Sequence, residues 1–332
     1  MTPKQPQISV AIPVHNGENY IEDAIESVLL QDYPNFKIFV SQNFSNDATQ
    51  QKLEDFAKRD NRIRISQTNC LISMYANVNR AVEICDSEWV KILCHDDLLE
   101  TNCLTQIANQ IVQHDSPTLG LIGLGEKVLF GNGYCNMPIP KIPGSPKCFN
   151  GLELMRSVLA GQGLAPTPAL SNSVVKKTAW DRFGRFNPSL SHADTFLWYE
   201  LLTEYNYLYI PQPLITNRIH TGQGAVEFRR NLSSIYEYRI QFPKYISTNS
   251  QMLKLDWRSK VLCFLRPRSV AAFAIMIRIL KRQPIAALKI FSKLPLGWIP
   301  IVSLLVIRSY FSELKRTSEV RKHVPLNFLY PD

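Results

Sequence analysis

The chain has 332 residues, 45% hydrophobic and 20% charged, with a net charge of +9. That length and apolar content exclude a disordered protein and leave room for one large domain with an appendage. The seven cysteines form no CxxC pair and show no zinc-like spacing, and Met1–Gln7 is polar without the apolar core of a signal peptide; both point to a reducing, cytoplasmic compartment.

The first 130 residues alternate strand and helix patterns. Ile8 to Ile12 is a β-rich run that Pro13 is expected to stop, and Ile21, Ala24, Ile25, Val28 and Leu29 follow helical spacing between Tyr20 and Leu30. A second strand, Phe36 to Val40, enters the polar turn Ser41 to Asp47, whose Ser and Asp residues suit the N-cap of a helix over 48–59. Ile63 and Ile65 mark a third strand, and Val78, Ala81, Val82 and Cys85 stripe another helix. Trp89 to Leu93 is a fourth strand that ends in two adjacent carboxylates, Asp96 and Asp97, before a helix over 104–113. Repeated β-α-β units with short connections predict a largely parallel sheet with helices on both faces. Residues 131–150, rich in Pro and Gly, read as a long loop. Helical patterns over 152–160 and 194–205 flank a short Val174-Val175 strand, and strands follow over 207–210 and 214–219.

The last part of the chain changes character. Between Arg258 and Lys322 there are 14 Lys or Arg against two acids, so this segment carries +12 and the remainder about −3. The apolar runs 270–280 and 294–307 fall short of the ~20 residues needed to cross a bilayer. Amphipathic helices lying on an anionic membrane surface, with Trp298 as an anchor, fit this pattern; a helical subdomain packed on the core is the alternative. Basic residues that flank aliphatic runs fit lipid rather than nucleic acid.

Ligands of α/β sheets bind at the carboxyl ends of the strands. Asp96 and Asp97, placed there, are hard oxygen donors suited to Mg2+ or Mn2+ carrying a diphosphate; an N-cap role for the next helix is the bland alternative. A dehydrogenase is excluded, because no GxGxxG follows the first strand and Gly123-Leu124-Gly125 comes too late.

Several motifs in order resemble family 2 glycosyltransferases. Ile8 to Gly17, with Pro13-Val14-His15-Asn16, resembles the opening strand and Pro-x-Tyr-Asn turn of that family. The turn at Gln42-Asn43 resembles its nucleotide-binding Asp-Asp-Gly-Ser or Asp-Asn-x-Ser stretch, and Leu93 to Leu99 its acidic metal loop. Ser191 to Trp198 resembles the Glu-Asp segment that supplies the base, and Arg218-Ile219-His220 its late Arg-x-His. The resemblance spans residues 7–222, about two-thirds of the chain.

The resemblance implies a GT-A fold, Rossmann-like and mostly parallel, over residues 1–225, with a nucleotide-sugar half (1–130) and an acceptor half (131–225). A helical, basic C-terminal region over 226–332 would follow. It implies inverting transfer of a sugar from a nucleotide-sugar, UDP-linked by preference with thymidine or guanosine as alternatives, to a hydroxyl of a glycan or lipid-linked glycan. Asp96 and Asp97 would bind Mn2+ or Mg2+, Asp96 also the donor; the family's earlier acid is Cys94 here. Pro13, His15, Asn16 and Glu18 would border the nucleobase and ribose, with His15 in place of the usual tyrosine. Gln42 stands where the family's aspartate accepts from uracil N3–H, and a glutamine can accept and donate; Asn43 lies beside it. Asp194 would be the base, its usual preceding glutamate being Ala193. Arg218 and His220 would clamp the leaving diphosphate, His220 alternatively completing the metal shell. The expected place is the cytoplasm, peripheral on the inner membrane face. The substitutions at Gln42, Cys94 and Ala193 leave an alternative: a catalytically impaired, nucleotide-sugar-binding scaffold of a polysaccharide assembly pathway.

Overall fold

The computed structural model describes residues 5–114, 116–130, 133–135, 144–159, 168–190 and 192–220. The chain divides into two units, Met1–Met155 with Leu164–Arg218, and Arg156–Gly163 with Ile219–Asp332. The first holds nearly all described residues. The expected membrane-surface helices over 226–332 lie outside them. No helix among the described residues is long and apolar enough to cross a membrane.

The amino-terminal half forms as the hydrophobic periodicity requires. Strands β1 (Ile8–Val14), β2 (Phe36–Gln42), β3 (Ile63–Gln67) and β4 (Trp89–Ile92) pair in parallel in the order β3-β2-β1-β4. β1 and β4 are buried at every position, as strands covered on both faces must be. Helix α1 (Ile21–Leu29) buries Ile21, Ala24, Ile25 and Val28. α2 (Thr49–Arg59) buries Leu53 and Phe56 and packs on β3, and α3 (Met74–Glu83) packs on β1 and β2. This is the expected Rossmann-like half.

The rest of the sheet is built differently. It adds β5 (Leu98–Leu99), then α4 (Cys103–Gln113), β6 (Leu119–Phe130), β7 (Gly133–Cys135), β8 (Lys147–Phe149) and α5 (Gly151–Leu159). A 3-10 turn (Leu170–Asn172), β9 (Ser173–Lys176), α6 (Lys177–Phe183), α7 (Ala193–Leu201) and β10 (Asn206–Ile219) complete it. β9 enters between β4 and β6, antiparallel to both, and the order runs on through β10 to β5.

Three local expectations change and a fourth is met. Pro13 does not stop β1: it stays in register with Ser41 of β2, while the β1–β4 ladder ends earlier, at Ala11↔Ile92. The stretch 131–150 is not all loop, since β7 and β8 lie within it and pair with β6 and β10. The two expected strands over 207–219 are one, β10, whose Pro211 and Pro213 fall between the ladders to β8 and β5. An aspartate of the polar turn does cap α2, as expected: Asp47 Oδ1 accepts from Thr49 N–H across the N-cap residue Ala48, which has no side-chain acceptor, and Glu18 adds a second acceptor from the β1 loop.

Candidate active site

β2 and β4 flank β1 on opposite sides, so the chain order reverses at β1. That is the switch point at which an open α/β sheet leaves a crevice beyond its carboxyl strand ends. The loops leaving β1 and β2 are tied together on one side of this crevice. Asn16 N–H donates to Ser45 Oγ (3.0 Å), and Asn46 N–H donates to Asn16 Oδ1 (3.0 Å). Gly17 N–H donates to Thr49 Oγ1 (2.8 Å), Glu18 N–H to Asp47 Oδ2 (3.1 Å), and Ala48 N–H to Glu18 Oε2 (3.0 Å). Asn16 takes a left-handed φ of 48°, which asparagine tolerates well. His15 Nδ1 lies 2.8 Å from the Asn43 carbonyl, which can only accept, so Nδ1 carries the proton. The sequence-predicted residues His15, Asn16 and Glu18 therefore sit together at this crevice and also build its wall.

Gln42 and Asn43 end β2 in contrasting states. Asn43 is 3% exposed and fully engaged: Nδ2 donates to the Ile72 carbonyl (2.8 Å), while Oδ1 accepts from Ile72 N–H (2.9 Å) and Thr68 Oγ1 (3.3 Å). It staples the β3–α3 loop to the donor-side loops. Gln42 is 0% exposed, and neither its Oε1 nor its Nε2 has a hydrogen-bond partner. A buried primary amide left unpaired is uncommon and costly. Phe44, next in the chain, is exposed and holds a φ of 50°, a conformation that a bulky residue rarely adopts.

The acid loop follows β4. Leu93 N–H still bonds the Ala11 carbonyl (2.9 Å), and Asp97 N–H turns back to the Cys94 carbonyl (3.1 Å). Cys94 N–H donates to Ser171 Oγ (2.9 Å), and Arg218 N–H donates to Asp97 Oδ1 (2.9 Å). Ligand atoms of Cys94, Asp96 and Asp97 all lie within 4.8 Å of one another. Burial, then the charge of Asp96, raises the Asp97 carboxyl above the ordinary carboxylate range. Burial and the same two carboxylates push the Cys94 thiol upward as well. Gathered anions of this kind fit a hard divalent cation, with the thiol as an additional soft donor. Gly17 faces this loop: a Cβ there would come within 2.7 Å of the His95 ring, so the β1 and β4 loops meet where only glycine fits.

Three supporting residues were not predicted. Lys91 is fully buried in β4, and its ammonium donates to the Ile92 carbonyl (2.6 Å) and to the Ser171 carbonyl. Burial lowers it to about 8. A lysine inside an apolar strand was the signal available for it. Ser171 holds the acid loop from 77 residues away, and Tyr75 holds Asp194 from 119 residues away; neither left a mark in the sequence.

Asp194 lies in the first turn of α7 and is half-buried. Its Oδ1 accepts from Tyr75 Oη (3.1 Å) and from Thr195 N–H (2.8 Å), and burial raises its carboxyl. The Arg218 guanidinium pairs with Asp23 of α1 (2.6 Å) and lies over the Tyr20 ring, 5.3 Å from its centre. Its backbone N–H also reaches the acid loop, at Asp97. His220 follows β10 and belongs to the second unit.

Residues 9–123 match the family described as Glycosyl transferase family 2. An uncharacterised glycosyltransferase of Haemophilus influenzae is 23% identical over 66% of this chain and 68% of its own length. The chain spans about two-thirds of the length of the first curated relatives that it matches. S. aureus TarS in complex with UDP superposes with a TM-score of 0.56 at 17% identity, over 92% of this chain and 89% of that one. The mannosyltransferase PcManGT from Pyrobaculum calidifontis, in complex with GDP-Man and Mn2+, gives 0.57 at 15% identity, over 91% and 80%. The likeness to both solved structures is one of fold.

Proposed function

We propose that this chain is a glycosyltransferase that moves one sugar from a nucleotide-sugar to a hydroxyl of a glycan or lipid-linked glycan, with inversion; the match of residues 9–123 to glycosyl transferase family 2 and the GT-A type of fold support it. The observation that carries the reading is the crevice at the carboxyl ends of β1, β2 and β4. There the acid cluster and the tied loops of β1 and β2 leave neighbouring strand ends, and β2 ends on the buried Gln42 amide. TarS binds UDP and PcManGT binds GDP-Man with Mn2+ in a shared fold.

Gln42 would read the base once its side chain, closed to solvent in this structure, is uncovered. Its amide accepts from one N–H and donates to a neighbouring carbonyl, the pairing that uracil N3–H and O4 present. Thymine and guanine share that edge, so a UDP-sugar is the first choice among three. Asp96 and Asp97 would hold Mn2+ or Mg2+, which when bound offsets charge on the departing diphosphate. The acceptor oxygen attacks the anomeric carbon from the face opposite the diphosphate. The carbon–oxygen bond to phosphate breaks with its electron pair leaving on the diphosphate, and the acceptor proton passes to Asp194. A carboxylate is a weak base for an alcohol, so alignment supplies most of the rate and proton transfer about 10²–10⁴-fold. The basic segment 258–322 supports attachment to an anionic membrane surface, where a lipid-linked acceptor would lie.

The test is nucleotide release and product formation from UDP-, dTDP- and GDP-sugars, with Mn2+, Mg2+ or chelator. Turnover with one donor, lost with metal or in Asp96→Ala, is expected. Tight nucleotide binding without turnover would favour the scaffold, and full activity in Asp96→Ala would remove the metal role. Co-flotation of the full chain with anionic liposomes, lost on truncation near Asp256, checks membrane attachment.

A further inference from the structure

We propose that Tyr75 is the positioning residue of the transfer step, its hydroxyl holding the Asp194 carboxylate in place and ionised for proton removal. This rests on the reading of Asp194 as base.

The contact is built from both helices. Tyr75 is 5% exposed in the first turn of α3, and its hydroxyl donates to Asp194 Oδ1 at 3.1 Å. Asn79, one turn further along the same face, grips Phe186 twice: Nδ2 donates to its carbonyl (2.8 Å) and Oδ1 accepts its N–H (2.9 Å). The Phe186 ring lies 5.4 Å from the Tyr75 ring and packs edge-on against Trp180 (5.0 Å) and Trp198 (5.3 Å). Trp198 sits one turn after Asp194 on α7, so Tyr75 and Asn79 of one helix face Asp194 and Trp198 of the other. Packing alone would need only phenylalanine at position 75; the buried hydroxyl is there to bond.

The chemistry follows from the donors. A hydroxyl and an N–H aimed at Oδ1 favour the ionised carboxylate and oppose the upward push of burial. The doubly bonded Oδ1 is the poorer proton acceptor, which directs the acceptor proton to Oδ2. Among the described residues, the titratable groups facing Asp194 are Tyr75 from α3 and His192 from the turn before α7, whose positive form acts in the same sense. Cys94 of the acid loop lies within electrostatic range of Tyr75. Since Asn43 ties Ile72 to the donor loops two residues before α3 begins, one short helix connects the donor side to the base.

The experiment compares kcat/KM against pH for wild type, Tyr75→Phe, Asn79→Ala and Asp194→Asn in the full chain, with thermal melts of each. Tyr75→Phe should keep KM, move the acidic limb up by about one unit and so lower kcat about tenfold at pH values on that limb. Asn79→Ala should lose stability and leave the limb where it is. Incorporating 3-fluorotyrosine at position 75 keeps the packing and strengthens the donor, so the limb should move down; this arm decides even if Tyr75→Phe folds poorly. An unmoved limb in the fluorinated protein, or an equal shift in Asn79→Ala, overturns the role of Tyr75. An active Asp194→Asn overturns the base reading itself.

Discussion

Replacing Asn43 by aspartate tests the donor-side loops most directly. Aspartate keeps the shape and both acceptor contacts of Asn43, but it turns the donor at 2.8 Å from the Ile72 carbonyl into a second oxygen. One hydrogen bond worth about 1 kcal/mol is lost, and two facing acceptors in a site only 3% exposed add about 1–2 kcal/mol. The expected deficit of about 2–3 kcal/mol lowers Tm by about 5–10 °C for a domain of this size. The sign of its pH dependence is fixed. A carboxylate facing a carbonyl gains by protonation, so the folded pKa of the new aspartate lies above its unfolded value of about 3.9. The deficit is therefore full above the folded pKa and shrinks as pH falls through it. Melts of wild type, Asn43→Asp and Asn43→Ala from pH 4 to 8 measure this, the alanine variant having no titration of its own. An aspartate variant as stable as wild type at pH 8, or a deficit that grows on acidification, would refute the reasoning.

Three further outcomes are expected. Mn2+ with UDP at about 100 times the dissociation constant should stabilise wild type by about 2.7 kcal/mol and leave Asp96→Ala unmoved in a thermal-shift assay; equal shifts would remove Asp96 from the metal site. Asn79→Ala loses two buried hydrogen bonds to Phe186 and should cost about 2–3 kcal/mol in urea unfolding, so a loss under about 0.5 kcal/mol would contradict the clamp. Lys91 is lowered to about 8 in the folded chain against about 10.4 unfolded, so the unfolded state binds more protons between those values. Stability relative to Lys91→Met should rise by up to about 3 kcal/mol from pH 8 to 10.5, and a flat difference would mean that Lys91 is not titrating there.

What the sequence disclosed was local. The stripe Ile21, Ala24, Ile25 and Val28 and the run Trp89 to Leu93 carry their own periodicity, and the acids after β4 announce themselves by breaking an apolar run. β5, two residues long, and α6, seven, are too short for periodicity to register. β6 carries three glycines, and Gly123 and Gly125 are there because Tyr207 and the Pro211 backbone press against it. Pro13 looked like a terminator, yet the β1–β4 ladder has already ended beside it. The supports of the site were hidden for another reason: Ser171, Tyr75 and Asn79 act on partners 77 to 119 residues distant, and only the folded chain brings them together.

β9 carries a consequence for turnover. By pairing with β4 on one side and β6 on the other, it welds the parallel half of the sheet, which bears the acid loop, to the half that holds β6 and β10, within a single hydrogen-bonded sheet. A clamshell motion between those halves would have to break a ladder in the middle of that sheet. On the proposed sugar-transfer reading, donor entry and nucleotide escape are therefore tasks for loop segments at the crevice rim. The rate of product release should then respond to changes in those loops and be indifferent to the stiffness of the strands beneath them.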